Sequence, residues 1–555
     1  MRPRGEAAGP EGEGGSDISF LVDALAALWR RDPPRPCGGL DEVRLHFDRR
    51  VAAGLPSGVD DRTASDLDLD ALFARIDRAA SAVGQQWLYT RLRTPLVEPA
   101  DVEAFDGLVE AVDGPGVSRE ATRRLLARLT GPGAYLLPYL IYGELPDRPA
   151  AYRLTPVLSV AALGALVAAL TTGVPGVLAL VAICAVNIVV RLSYRRRVEA
   201  ILGSLPAARA LVFTGRELAL PRCGLPAVTR ARLEAAAAPL RGLLRTTAWL
   251  AFETDRTDEL SRIFYEYVNL VFLLDVNALL FSLGLLSTRR DALGELFDAV
   301  GEVDGALSTA AFRASLPFWC RPRFVAAGGP VRLDDVFHPL LDAPAPNSLA
   351  LEGTSLLVTG SNMSGKTTFL KALGVNALLA RTLATCAARR HEAPPFAVLT
   401  SIGRGESLAE GTSYYFAEVR RVGALLRAAG GAAPHLFLLD ELFRGTNTIE
   451  RIAAAKAVLA RLSGGPHLAA VASHDLELVP LLHGAYAPYH FRESVEEGVL
   501  SFDYRLRPGP SSTRNAIALL ACASFPPEVV TDALATVEAL LAGGRFDGAG
   551  GPAAR

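Results

Sequence analysis

From Leu154 to Val190 the chain carries no charged side chain, although 21% of its residues are charged. No other feature narrows the possible folds as much. The stretch divides at Thr171–Gly176, "TTGVPG", into two apolar runs of about membrane-spanning length. Arg153 precedes the pair, and Arg191, Arg195, Arg196 and Arg197 follow it. Basic residues on both flanks match the positive-inside pattern of a two-span hairpin with a very short outer turn. Gly164 and Ala168 offer small surfaces at which two helices can approach. The competing reading is a buried helical pair in a soluble core, because the second run is near the lower length limit. Length and flanks favour the hairpin in the bilayer.

The surroundings read as helical. "ISFLVDALAALWRR" (Ile18 to Arg31) has helical periodicity and ends at the Pro-rich "DPPRPCGG". Ala64 to Leu96 repeats apolar residues every three or four positions, and its Asp-rich start suits the positive end of a helix. Helices continue to about Leu137, and residues 198–330 read as long helices. Tyr265 to Leu286 resembles a third span. With Asp275 and Asn277 at its middle and Glu266 at its start, it is read instead as a buried helix between domains. The first residues are Gly-, Glu- and Pro-rich with no apolar h-region, as in a disordered tail rather than a signal peptide. The six cysteines form no CxxC pair, which points to reduced thiols in a cytosolic compartment and to neither a zinc site nor a disulfide frame. The 57 basic and 59 acidic residues nearly cancel, so net charge gives no support for wholesale binding to nucleic acid.

From about Pro330 short apolar strands alternate with helices. "GSNMSGKT" follows the strand-like "SLLVTG" and precedes a helix signal, so it fits GxxxxGK[ST] in the context that motif needs. The loop consists of Gly360, Ser361, Asn362, Met363, Ser364, Gly365, Lys366 and Thr367, with Thr368 following. Its backbone N–H groups and the helix N-terminus cradle phosphates. Lys366, one of three lysines in the chain, supplies a point charge for the β- and γ-phosphates, and Thr367 a hydroxyl for Mg²⁺. The apolar "HLFLLDE" ends in Asp440, expected to hold Mg²⁺ directly or through water, and Glu441, expected to act as general base. "HLAAVASH" ends at His474, where an α/β nucleotide site opens beyond the carboxyl ends of its strands. "LSGG" (residues 462–465) matches the start of the ABC-transporter signature but follows the Asp-Glu strand instead of preceding it. With Pro466 next, it reads as the turn between helix 450–462 and strand 467–474. Gly411-Thr412-Ser413 opens a helix at the expected signature position, with Ser413 near its phosphate-binding end.

These motifs together resemble the MutS mismatch-repair ATPases. "TGSNMSGKTTFLKALGVNALLA" is similar to their P-loop and first helix, "SIGRGESLAEGTSYYFAEV" to DDLxxGxSTFMxEM, "LLDELFRGTNTIE" to DEIGRGTST, and "VASHDLEL" to ATHYxEL. "YRLRPGPSSTRNAIALLACASFPPEVV" resembles the C-terminal YKLxxGxxxxSyGIxvAxLAGxPxxV, and "FHPLLDAPAPNSLAL" the HP…N segment before the ATPase. "LDALFARIDRAASAVGQQWLYTRLRTPL" resembles the start of the helical core. The resemblance is tight from Phe337 onward and looser back to Ser65. Departures include Glu406-Ser407 for the Asp-Asp before the signature, Tyr415-Phe416 for its Phe-Met, and Arg514-Asn515 near the C-terminal SYG. The mismatch-reading domain with its Phe-x-Glu wedge is expected to be absent. The strings Phe416-Ala417-Glu418 and Phe491-Arg492-Glu493 lie among ATPase elements and read as structural.

The expected fold class is therefore multidomain: a mostly α-helical core or lever with a two-helix transmembrane hairpin, plus a C-terminal α/β P-loop ATPase domain of ABC type. The expected divisions are a tail at 1–16, helical core at 17–150, hairpin at 151–197, helical lever at 198–330, ATPase domain at 331–546 and a tail at 547–555. The resemblance implies ATP and Mg²⁺ as cofactors, and a homodimer in which Glu441, His474 and Lys366 act in one subunit. Ser413 and Asn362 would touch the γ-phosphate across the interface. Expected partners are the lipid bilayer through residues 154–190, DNA in mismatched or structured form, and a protein partner of unknown identity. The expected location is the cytoplasmic membrane, with both termini and the ATPase in the cytoplasm. Three outputs compete: a tethered ATPase that binds DNA, an ATP-driven membrane switch or scaffold without DNA, and, least favoured, a transporter. The hairpin lies where the family has an inserted DNA clamp.

Overall fold

The computed structural model describes residues 39–144, 154–246, 267–361, 364–403, 414–496, 499–511 and 525–542. The helix expected at Ile18–Arg31, the segment Arg514-Asn515 and the tails at 1–16 and 547–555 lie outside these. The chain divides into two compact units. One comprises residues 1–58 and 70–317; the other comprises 59–69 and 318–555.

In the first unit α1 (Leu40–Ala52) is followed, after a segment belonging to the second unit, by α3 (Leu69–Ile76), α4 (Ala82–Arg93) and α5 (Pro99–Asp113). The single helical signal over 64–96 is thus broken twice. Asp68 adopts φ 52°, and Asp77–Ser81 forms a non-helical link. The buried Asp304 carboxylate accepts from Ala80 N, Ser81 N and Ser81 Oγ at 2.5–2.9 Å, while Ser81 Oγ accepts from Gly84 N. Ser81 thus caps α4 by taking the Gly84 N–H, and the tertiary contact with Asp304 holds the capping residue and the link before it in place. Burial pushes the Asp304 carboxyl up to about 6, against the hydrogen bonds that favour its charged form.

The apolar hairpin is α6 (Thr155–Thr172) and the beginning of α7 (Val174–Leu218), joined at Gly173 with φ 68°. Thr155–Thr172 and Val174–Arg191 are both long and apolar enough to cross a membrane, and only 17% and 11% of these windows is buried. The close approach falls at Gly176, where an added Cβ would meet the Ala168 backbone at 2.3 Å. Gly164, expected to share that role, has open space around it. Helix α7 does not end with the apolar run. It spans 45 residues in all, Val174–Leu218, and passes residue 197 as helix.

A further helix, α8 (Ala227–Ala237), packs with α7 on α9 (Leu274–Ser315). The stretch 267–286 belongs to this helical unit, with Val276, Leu279, Leu283 and Leu286 buried. It is not a single helix: Leu273 adopts φ 49° and breaks it. Such a break frees backbone carbonyls, and side chains from the hairpin take them up. Asn187 Nδ2 donates to Val271 O at 2.6 Å, and Ser159 Oγ donates to Phe272 O at 2.6 Å. Asn277 Nδ2 donates to Ser159 Oγ, and Thr155 Oγ1 donates to Asn277 Oδ1, both at 2.8 Å. Asn277 thus pairs with the foot of the hairpin.

The second unit holds two sheets. The smaller combines β1 (Pro322–Phe324), β2 (Val331–Val336), β3 (Asn347–Leu351) and β5 (Arg390–Ala393) in the order β1-β5-β2-β3. The larger orders β10 (Val499–Pro508), β9 (Tyr486–Glu496), β4 (Ser355–Thr359), β8 (Leu468–Ala472), β7 (His435–Asp440) and β6 (Ala397–Ser401) side by side. All its pairings are parallel except β9 with β10. Strands β4 and β8 are buried on both faces, as expected of a parallel sheet covered by helices. The helices are α10 (Lys366–Thr382), α11 (Tyr414–Ala428), α12 (Thr448–Leu462) and α13 (Pro527–Ala542). The "SGGP" segment is a turn between α12 and β8, with Gly465 at φ 78°.

Helix α2 (Asp61–Asp66) also belongs here, although it is remote in sequence. Asp60 caps it by accepting from Thr63 N at 2.8 Å. Asp66 instead accepts from Thr400 Oγ1 at 2.7 Å and Ile402 N at 2.9 Å at the end of β6. Asp68 pairs with Lys371 at 2.5 Å. Asp60 and Asp61 thus lie at the start of α2, whereas Asp66 and Asp68 bind groups remote in sequence.

Candidate functional site

Three parallel strands, β4, β7 and β8, end together, and the residues singled out from the sequence emerge at their carboxyl ends. Strand β4 runs into the loop at Gly360, which adopts φ 131°; a Cβ there would meet Phe491 O at 2.9 Å. Gly365 adopts φ 104° immediately before α10. Both positions demand a residue without a side chain. Between them Ser364 Oγ donates to Ser361 O at 2.7 Å and closes the loop. Lys366 is buried, and its ammonium donates to Gly360 O and Ser361 O at 2.6 and 2.7 Å. Thr368 lies at the start of α10 and borders the cavity beside the loop. Asn362, Met363 and Ser413 lie outside the described residues.

Thr367 Oγ1 donates to Asp440 Oδ2 at 2.7 Å. The other carboxylate oxygen, Asp440 Oδ1, is buried and has no hydrogen-bond partner. A buried acceptor left alone is costly, and a carboxylate oxygen beside a hydroxyl is the donor set of a hard divalent cation. Asp440 and Thr367 therefore fit Mg²⁺.

Glu441 adopts φ 52° just past β7, anchored by its N–H on Ala472 O at 2.9 Å. His474 Nε2 contacts its Oε1 at 2.5 Å, and Arg444 pairs with Oε2. The other His474 nitrogen, Nδ1, faces Gly360 O at 3.2 Å, which links Glu441 through His474 to the loop. Burial raises the Glu441 carboxyl, but His474, Arg444 and Lys366 together outweigh it and hold it below its ordinary range. It is thus ionised at neutral pH, as a general base must be.

Several neighbours have no role in the site on the sequence reading. Arg444 is one. A second is Glu418 on α11, whose Oε1 accepts from Phe443 N at 2.6 Å. A third is a cavity of about 430 Å³ beside the loop, lined by Phe337, His338, Phe369, Phe491 and Tyr504. Asn347 holds its rim by donating to Tyr504 O and accepting from Leu506 N. A flat apolar group joined to a phosphate on the loop would enter this cavity. Arg444 and Glu418 lay inside quoted motifs, but no spacing rule points from either to its partner.

Residues 356–541 match the family model described as MutS domain V. The C-terminal part of this chain is therefore similar to MutS domain V. Among curated proteins, it is 34% identical over 260 residues to the DNA mismatch repair protein MutS of Thermus thermophilus, covering 46% of this chain and 31% of that protein. It is 32% identical over 260 residues, with the same coverage, to MutS of Thermus aquaticus. To the DNA mismatch repair protein MutS 2 of Haloarcula marismortui it is 31% identical over 272 residues, covering 44% and 28%. The chain thus spans about a third of the length of these relatives. The matched residues 356–541 contain Gly360, Lys366, Thr367, Asp440, Glu441 and His474, whereas Phe337, His338 and Asn347 at the cavity precede them.

Proposed function

We propose that this chain is a MutS-like ATPase that hydrolyses ATP to ADP and phosphate, works as a dimer of heads, and is tethered to the cytoplasmic membrane by its apolar hairpin. The observation that carries the ATPase reading is the Thr367–Asp440 pair with its orphaned carboxylate oxygen, set beside a phosphate loop and an ionised Glu441.

The loop N–H groups and the N-terminus of α10 bind the phosphates, and the Lys366 ammonium neutralises charge between them. Thr367 and Asp440 would hold Mg²⁺, which supplies charge neutralisation on the phosphate oxygens. Glu441 takes the proton of the attacking water. His474 holds Glu441 in place from the Gly360 side, beside the loop that would carry the γ-phosphate. Ser413 and Asn362 of the second subunit complete the site, so hydrolysis opens the heads and moves the helical unit.

Two observations support the tether: the hairpin's two apolar windows are 17% and 11% buried, and charge is confined to their flanks. The hairpin takes the clamp's place in the order of segments, so lever motion is delivered at the bilayer. DNA in mismatched or structured form is the proposed ligand, on the strength of the relatives' names. A membrane switch with a protein partner is the second reading, favoured by a net charge of −2. Purified protein should hydrolyse ATP in the presence of Mg²⁺. Salt-dependent binding to duplex and branched DNA separates the two readings, and no binding at low salt removes the first.

A further inference from the structure

The loop after β7 is strained at two places. Glu441 and Phe443 have φ of 52° and 59°. Neither is glycine, and a bulky residue in this region costs free energy unless its surroundings hold it there. The MutS motif DEIGRGTST has glycine where this chain has Phe443. A free loop would relax, so contacts elsewhere must impose the conformation.

Those contacts come from one face of α11. Glu418 Oε1 accepts the Phe443 N–H at 2.6 Å. Three residues earlier on that helix, the Tyr415 ring lies 6.3 Å from the Phe443 ring, centroid to centroid. The same ring closes over Gly445, where an added Cβ would meet Tyr415 Cβ at 3.1 Å. Positions three apart share a helix face, so Tyr415 and Glu418 grip the loop as a pair. Phe443 is 5% exposed and Glu441 8%, so the gripped loop is packed against the protein. The second Glu418 oxygen is buried without a partner. A carboxylate kept at such a cost has a job beyond solubility.

We infer that Glu418 and Tyr415 are positioning residues that hold the strained 441–445 loop and thereby aim the Glu441 carboxylate. Helix α11 begins directly after the segment expected to reach the partner's nucleotide. The inference rests on the ATPase reading and adds a link to it: a shift of α11 on dimer closure changes the aim of the base in the same subunit.

The test is steady-state ATP hydrolysis by the full chain, with nucleotide affinity measured separately by a fluorescent ATP analogue. Glu418→Ala should lower kcat tenfold or more with KM and analogue affinity unchanged. Glu418→Gln, which keeps an acceptor oxygen for the Phe443 N–H, should recover most of that rate. Tyr415→Ala removes the ring packed on Phe443 and Gly445 while keeping the Glu418 acceptor, and should also lower kcat at constant KM. Wild-type rates in folded Glu418→Ala and Tyr415→Ala would overturn the link alone. So would a fall in affinity that matches the fall in kcat. A wild-type chain that binds the analogue but hydrolyses nothing removes the ATPase reading, and the link with it.

Discussion

The Thr367 hydroxyl donates to Asp440 Oδ2 at 2.7 Å, joining the first turn of the helix after the phosphate loop to the end of a strand far along the chain. This contact orients the carboxylate and leaves Oδ1 as the buried oxygen without a partner. Asp440→Asn should raise the Mg²⁺ concentration needed for half-maximal hydrolysis and lower kcat. Mg²⁺ titration of the reaction reads both, and an unchanged titration curve would exclude Asp440 as a ligand.

Glu441→Gln keeps the shape of the side chain and removes its proton acceptor. Loss of a general base lowers turnover by roughly 10²–10⁴-fold. ATP binding should survive, and a closed dimer should accumulate with ATP in size-exclusion chromatography.

His46 provides a prediction for the helical unit. Its Nδ1 faces Thr90 Oγ1 at 2.9 Å, and that hydroxyl already donates to Gln86 O. Its ring stacks on Phe297 at 4.5 Å. Burial, with the nearby Arg50 charge, lowers its pKa to about 3. In the unfolded chain a histidine binds a proton near the ordinary value of 6.5. Stability is therefore complete above about pH 6.5 and falls as pH drops toward 3, because the unfolded state gains the proton first. The slope is about 1.4 kcal/mol per pH unit for one such group. Unfolding followed from pH 7 to pH 5 should show a shallower loss in His46→Gln than in the wild type, whatever the two stabilities at pH 7.

Asp66→Ala removes the acceptor for Ile402 N and Thr400 Oγ1, both buried. Leaving buried donors unmade costs about 1–3 kcal/mol. The denaturation midpoint of the second unit should fall accordingly, and Asp66→Asn should recover part of the loss.

The hairpin should carry the chain into the membrane fraction, and detergent, not salt, should release it. Recovery of the intact-hairpin protein as a soluble species would sink the tether, while deletion of residues 154–190 should abolish membrane association.

The sequence by itself determined the strand–loop–helix at Gly360–Thr367, the Asp440–Glu441 pair and the apolar hairpin. In each, the physics is local. Phosphate cradles need glycines at positive φ, parallel strands buried on both faces read as unbroken apolar runs, and charge-free runs follow from the cost of burying charge. Contacts distant in sequence lay beyond it. Asp304 holds the capping Ser81 ahead of α4, and Asn187, Ser159 and Asn277 meet the carbonyl groups at the Leu273 break. Asp66 was read as part of a helix start, yet it closes on Thr400 and Ile402. The grip of Glu418 and Tyr415 on Phe443 belongs to the same class. A polar side chain can be satisfied equally well by its own helix or by a remote strand, and the packing of the folded chain selects the partner.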